Sequence, residues 1–199
     1  MSTVAKGDAL EDETFMLIKK ELEAGRLGIS PSSGRVFKKK GYYSRDREKD
    51  IVVDISIEVW LPGADNYSML WVCECKDYAR SIPVDDAEEF KSKLDQIAGK
   101  NIKGVIVTRS SFQEGTVKYA RSQGVGLVRI MPKDQVSWFM YCIMSGSAPI
   151  QNKLNPREFK LALSNEGYQA KERSFYSTYN GYIFGSWLEL LRHSLSGNA

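Results

Sequence analysis

Histidine is almost absent from this chain of 199 residues: the one present, His193, lies close to the C-terminus. Serine–histidine and cysteine–histidine hydrolysis need an imidazole beside the nucleophile, so neither mechanism can be built on the body of the chain. Cysteine is also scarce, with three in all, two of them as C-x-C at Cys73 and Cys75. That spacing gives neither a disulfide framework nor paired zinc ligands, and the cysteines are expected to be reduced core residues. Long hydrophobic runs are missing too. The apolar stretches stop well short of the roughly 20 residues of a membrane span, and the opening MSTVAKGDALEDE has no hydrophobic signal segment. A cytoplasmic protein with no membrane contact and no organic cofactor is expected, and no internal repeat is evident.

What is present is ordinary globular material, 42% hydrophobic and 27% charged, enough for one main domain with a small appendage. A net charge of +3 says little about partners. Residues 35–49, RVFKKKGYYSRDREK, say more: seven Lys or Arg face two acids, with aromatics interleaved. A solvated loop would also explain such a run, so nucleic-acid contact needs support from elsewhere.

Leu10, Leu17, Ile18 and Leu22 fall at helical spacing and predict a helix over Ala9 to Ala24, ended by Gly25. The Gly/Ser/Pro-rich passage that follows predicts one short strand near Arg35 to Lys39, otherwise loop. IVVDISIEVW, from Ile51 to Trp60, and MLWVCECK, from Met69 to Lys76, read as a β-hairpin joined through LPGADNYS. An amphipathic helix over Val84 to Ala98 follows, then Gly104 to Thr108, a helix over Gln113 to Gln123, and Gly126 to Ile130, a β-α-β unit. The fold expected is α/β, a central mixed sheet flanked by helices, with a domain boundary near residue 132. Residues 133–199 are expected to form a small, mainly helical extension: a helix over Gln135 to Met144, a Pro-started helix after Asn155, a turn at Asn180-Gly181 and a helix over Ser186 to Ser194.

The stretch WVCECK carries the chemistry. Alternation along a strand puts Leu70, Val72, Glu74 and Lys76 on one face, so charge stands where hydrocarbon is expected, at a cost that folding alone would not select. With the hairpin turn centred near Ala64 or Asp65, Asp54 falls opposite Glu74 or Lys76 on the same face. Strands lie about 4.8 Å apart and residues two apart on one strand about 6.7 Å, so both carboxylates can reach a single cation. An oxygen-only pair suits Mg²⁺ or Mn²⁺, with Lys76 beside the ion to orient or help deprotonate water or to neutralise a transition state.

Asp54 followed across a hairpin by Glu74-x-Lys76 resembles the PD-(D/E)xK nuclease pattern, and the chain resembles in particular the Mrr-like restriction endonucleases over residues 7–130. The family's opening G-x-x-F-E helix is matched by Gly7-Asp8-Ala9-Leu10-Glu11, its D-x-G-I-D strand by Asp50 to Ile55, and its Q/E-C-K strand by Glu74-Cys75-Lys76. The later G-V-hydrophobic-hydrophobic-T and F-x-x-x-A-x-x-x-A segments are matched within Gly104 to Thr108 and Phe112 to Ala120. The chain departs from the pattern in the bulkier KDIVVD, in the longer hairpin loop and in Leu10 for Phe. The resemblance implies a restriction-endonuclease-like nuclease domain that cleaves DNA with Mg²⁺. Asp54 and Glu74 would be ligands, Lys76 catalytic, Glu11 an added ligand or base, and a homodimer would cut the two strands. Lys38, Lys39, Lys40, Arg45, Arg47 and Arg80 would hold phosphates. A structure-specific nuclease like the Holliday-junction resolvases, or a catalytically silent nucleic-acid-binding or assembly module, are the alternatives. Glu74 and Lys76 could also be a mere cross-strand ion pair, Glu11 a first-turn helix acid, and Asp50, Asp85 or Asp86 extra carboxylates.

Overall fold

The alternating and continuous apolar runs assemble into a single sheet of seven strands in sequence order, β1 to β7. The structure is a computed structural model, and it describes residues 3–97, 101–131, 154–170 and 173–196. The expected helix over Gln135 to Met144, and Cys142 within it, lie outside the described residues. The elements are α1 (Thr3–Glu23), β1 (Gly34–Ser44), β2 (Lys49–Val59), β3 (Met69–Lys76), α2 (Val84–Gln96), β4 (Ile102–Thr108), α3 (Glu114–Ser122), β5 (Gly126–Ile130), α4 (Pro156–Ser164), β6 (Phe175–Tyr179), β7 (Tyr182–Phe184) and α5 (Trp187–Leu195). Strands β3, β4 and β5 are parallel, and the pairs on either side of them are antiparallel.

Each face of the sheet carries its own apolar layer. Leu70, Val72, Ile106 and Leu127 pack against Phe90 and Leu94 of α2, Ala120 of α3 and Phe159 and Leu163 of α4. Trp71, Cys73, Val105 and Val128 pack against Leu10, Ile18 and Leu22 of α1 and Leu190 and Leu191 of α5. Cys73 and Cys75 are buried free thiols, as composition led us to expect. Gly104 is what lets α2 approach β4. A Cβ there would stand 2.3 Å from Leu94 Cδ1 and 2.9 Å from Phe90 Cε1. Gly104→Ala is therefore expected to lower stability by about 1–3 kcal/mol through overpacking, read as a lower urea midpoint at unchanged slope.

One expectation is corrected. The passage expected to be mostly loop holds an eleven-residue strand, β1, hydrogen-bonded along β2. Its lysines sit in a strand because carboxylates distant in sequence receive them: Lys38 meets Asp12, Lys39 meets Glu11 and Asp54, and Lys40 meets Glu58. The sheet continues past residue 132, where β6 pairs with β5 and β7 with β6, around the expected turn at Asn180-Gly181. Helices α4 and α5 start where their caps predicted, at Asn155 followed by Pro156 and at Ser186, each cap side chain accepting a backbone N–H. The lone histidine, His193, packs among the rings of Tyr179, Tyr182 and Phe184, far in sequence from the charged residues of β2 and β3.

Candidate active site

The β2–β3 ladder runs from Val59↔Met69 to Ile55↔Cys73 and then stops. One further step would set Asp54 opposite Glu74, one of the two partners expected. Instead of continuing the ladder, the Cys75 amide donates to Asp54 Oδ2 at 2.8 Å. The Asp54 carboxylate is thus fixed to the residue between Glu74 and Lys76. At the same place β2 changes layer: Ile51 and Val53 pack with Leu70 and Val72, whereas Ile55 and Ile57 pack with Trp71 and Cys73. On the other side of β2 the ladder with β1 lacks one pair, Lys39 with Asp54, and Lys39 has a φ of +53°. Backbone irregularity is concentrated at Asp54.

Two charged groups flank this point. In the first, Lys39 Nζ lies 2.7 Å from Glu11 Oε1 and 2.5 Å from Asp54 Oδ1. Glu11 reaches the strands because it shares a buried stripe of α1 with Leu10, Thr14 and Ile18, and it is only 6% exposed. Burial holds its carboxyl above the usual range, Lys39 opposes that shift, and Asp54 adds to it. In the second group, Glu74 Oε1 receives Lys93 Nζ from α2 at 2.9 Å and Lys76 Nζ at 3.3 Å, and Lys76 also lies 3.5 Å from Asp86 Oδ1. Burial pulls the Lys76 ammonium down, but Glu74, Tyr78 and Asp86 outweigh it and hold its pKa above the ordinary lysine value. At neutral pH Lys76 is a cation in this arrangement.

Each expected ligand therefore ends on its own lysine, Asp54 on Lys39 and Glu74 on Lys93 and Lys76. Among the described residues no three His, Cys, Asp or Glu side chains are gathered as a metal cage. The donor set still suits a hard divalent ion, which takes one or two carboxylates and completes its shell with water and phosphate oxygens. A second feature agrees: Glu11 Oε2 is buried without a hydrogen-bond partner, with Lys38 Nζ at 4.0 Å.

Of the basic residues expected to meet phosphate, Lys38 and Lys40 end on Asp12 and Glu58. Arg47 donates to Gln96 Oε1 at 2.7 Å, while Arg45 and Arg80 are exposed. Of the three extra carboxylates considered, Asp86 is the one that joins the group, through its approach to Lys76. Sequence reasoning missed Lys93, although a signal existed: Asp86 and Lys93 are seven apart on α2, beside the apolar stripe of Ala87, Phe90 and Leu94. Since Lys93 orients Glu74 without itself being a motif residue, Lys93→Met is expected to lower the initial cleavage rate about 10–100-fold at saturating Mg²⁺, where any change in ion affinity no longer counts.

The Mrr catalytic-domain family, described as restriction endonuclease, matches residues 32–133, a span that includes Asp54, Glu74 and Lys76. The chain belongs to this family. The restriction endonuclease match leaves α1 and Glu11 outside its span. Two solved structures are similar. One is a repair endonuclease from Pyrococcus abyssi, 20% identical over 60% of this chain and 47% of that chain, with a TM-score of 0.39. The other is a protein of unknown function, 16% identical over 55% of both chains, with a TM-score of 0.37. The chain spans about half the length of each. No curated protein matches it.

Proposed function

We propose that this restriction endonuclease family member hydrolyses phosphodiester bonds in duplex DNA with Mg²⁺ or Mn²⁺, in a restriction or defence role. The observation that carries this reading is the bond from the Cys75 amide to Asp54, which ties the β2 carboxylate between Glu74 and Lys76. A fold alone would not require that junction, and a structural ion pair would not need a third charged chain from another strand. Asp54 and Glu74, with Glu11 beside Asp54, would hold the ion. Such an ion supplies positive charge beside the scissile phosphate and makes a neighbouring water easier to deprotonate. Lys76, held protonated, neutralises charge that develops on the phosphate oxygens. Asp86 and Tyr78 fix where its ammonium points: Asp86 lies 3.5 Å from Lys76 Nζ, and Tyr78 donates to Asp86 at 3.2 Å.

Affinity for DNA would come from cations not already neutralised within the protein. Arg45 and Arg80 are exposed, and Arg45 lies at the β1–β2 turn. Arg45→Gln with Arg80→Gln is expected to weaken binding on any sequence and to reduce the slope of log K against log salt by about 1 for each phosphate no longer neutralised. A salt slope identical to the parent's would remove both from the interface.

The substrate class is tested by offering methylated and unmethylated duplex DNA, single-stranded DNA and RNA of one sequence, with Mg²⁺. Cutting of duplex DNA is expected. Cutting confined to RNA, or to branched DNA added as a further substrate, would replace this reading.

A further inference from the structure

Lys39 has a backbone its residue type does not favour. Among the described residues three non-glycine positions have positive φ, and Glu48 and Asn180 are in hairpin turns, where that conformation reverses the chain. Lys39 instead lies inside the eleven-residue strand β1, opposite the Asp54 position missing from the ladder. A left-handed residue within a strand persists only where its surroundings impose it. What this one achieves is visible in its side chain, whose ammonium sits between Glu11 Oε1 and Asp54 Oδ1 at 2.7 and 2.5 Å. No other cation among the described residues bridges those two carboxylates.

The carboxylates on either side are not equally satisfied. Asp54 Oδ2 has the Cys75 amide, whereas Glu11 Oε2 is buried with no hydrogen bond, and Lys38 stays at 4.0 Å from it. An ammonium is a poor match for this pair, because it approaches one oxygen of each carboxylate and leaves Glu11 Oε2 buried and unmet. A small divalent ion carries twice the charge and accepts further oxygens. The Lys39 side chain is 47% exposed, so its four-carbon stem can carry the ammonium out to water.

We propose that Lys39 is an internal counter-cation, which holds the Glu11–Asp54 pair until a divalent ion binds and competes with that ion for the same carboxylate oxygens. This rests on the metal-dependent reading above and makes Glu11 part of the ion's surroundings, although Glu11 lies outside the matched family span. Removing the competing charge therefore favours the ion.

The test is calorimetric titration of MnCl₂ into the full chain without DNA, for the parent, Lys39→Asn and Lys39→Arg. Asn tolerates the left-handed backbone and is neutral, while Arg keeps the charge. Lys39→Gly, unstrained at φ +53°, serves as a second neutral variant, with folding checked by circular dichroism. The neutral variants are expected to bind Mn²⁺ about tenfold or more tightly than the parent, and Lys39→Arg to bind like the parent. Binding seen in the neutral variants alone supports the proposal still more strongly. Equal or weaker Mn²⁺ binding by folded neutral variants, with the parent binding normally, overturns the Lys39 proposal and leaves the nuclease reading standing. No Mn²⁺ binding by any of them overturns both.

Discussion

Asp54→Asn is expected to reduce DNA cleavage by about a thousandfold or more, roughly 4 kcal/mol of transition-state stabilisation. The substitution nearly preserves shape. Asn keeps an oxygen to accept the Cys75 amide, now 2.8 Å from Asp54 Oδ2, so the strand junction should survive while the charge that would hold the ion is removed. Glu74→Gln should lose activity to a similar extent, with a different effect on stability. From sequence alone, neutralising either carboxylate is expected to leave the metal-free fold unchanged or slightly more stable, because unpaired carboxylates on one sheet face repel. The lysines change that expectation. Glu74 already receives both Lys93 and Lys76, so Glu74→Gln leaves two half-buried ammoniums short of a partner. It should cost about 1–3 kcal/mol, whereas Asp54→Asn releases only Lys39, which can remain on Glu11. A stability loss in Glu74→Gln is therefore compatible with a catalytic role, and the discriminating readout is the ion: Mg²⁺ should raise the melting temperature of the parent and not that of the Asp54→Asn, Glu74→Gln double variant.

Arg129→Met is expected to destabilise the protein by about 3 kcal/mol without touching the charged residues near Asp54. Arg129 stands on β5 at 2% exposure, and its Nη1 donates to the Ala162 and Asn165 carbonyls at 2.6 and 2.8 Å. Burial holds its pKa below the ordinary arginine value, with Glu166, Tyr168 and Tyr176 acting against that shift. One buried side chain thus closes the end of α4 onto the sheet. Met would fill much of the volume, take the arginine donor from the Ala162 carbonyl and leave the Asn165 carbonyl with the Tyr168 amide alone. A urea denaturation curve should show one transition with a lower midpoint. Two separate transitions would mean that residues beyond 153 fold independently, contrary to a sheet that continues from β5 into β6 and β7.

How much of this was legible in the sequence depended on how far apart the interacting residues are. Periodicity located α1, the β2–β3 hairpin, α2 and the β4-α3-β5 unit, because those signals are local to each segment. Asp54, Glu74 and Lys76 stood out for the same reason: charge in an apolar strand is conspicuous, and a hairpin constrains its own register. The length of β1 was not legible. KKK beside a Gly/Ser/Pro stretch reads as solvated loop until it is known that Glu11, Asp12, Asp54 and Glu58 stand opposite, and those partners are 15 to 28 residues away. Lys93 was hidden likewise, since the seven-residue interval to Asp86 shows a shared helix stripe and not which strand it faces. The continuation of the sheet beyond β5 depends on Phe175 to Tyr179, a short run whose pairing with β5 no local pattern specifies.

The measurement that bears most directly on the central claim is nicking and linearisation of a supercoiled plasmid by the parent chain, with Mg²⁺ and with EDTA, beside the Asp54→Asn, Glu74→Gln double variant. Cleavage by the parent in Mg²⁺, none in EDTA and none by a folded double variant is the predicted result. Cleavage that persists in EDTA, or equal cleavage by the double variant, would contradict the account, because the carboxylates of Asp54 and Glu74 would then have no part in the chemistry.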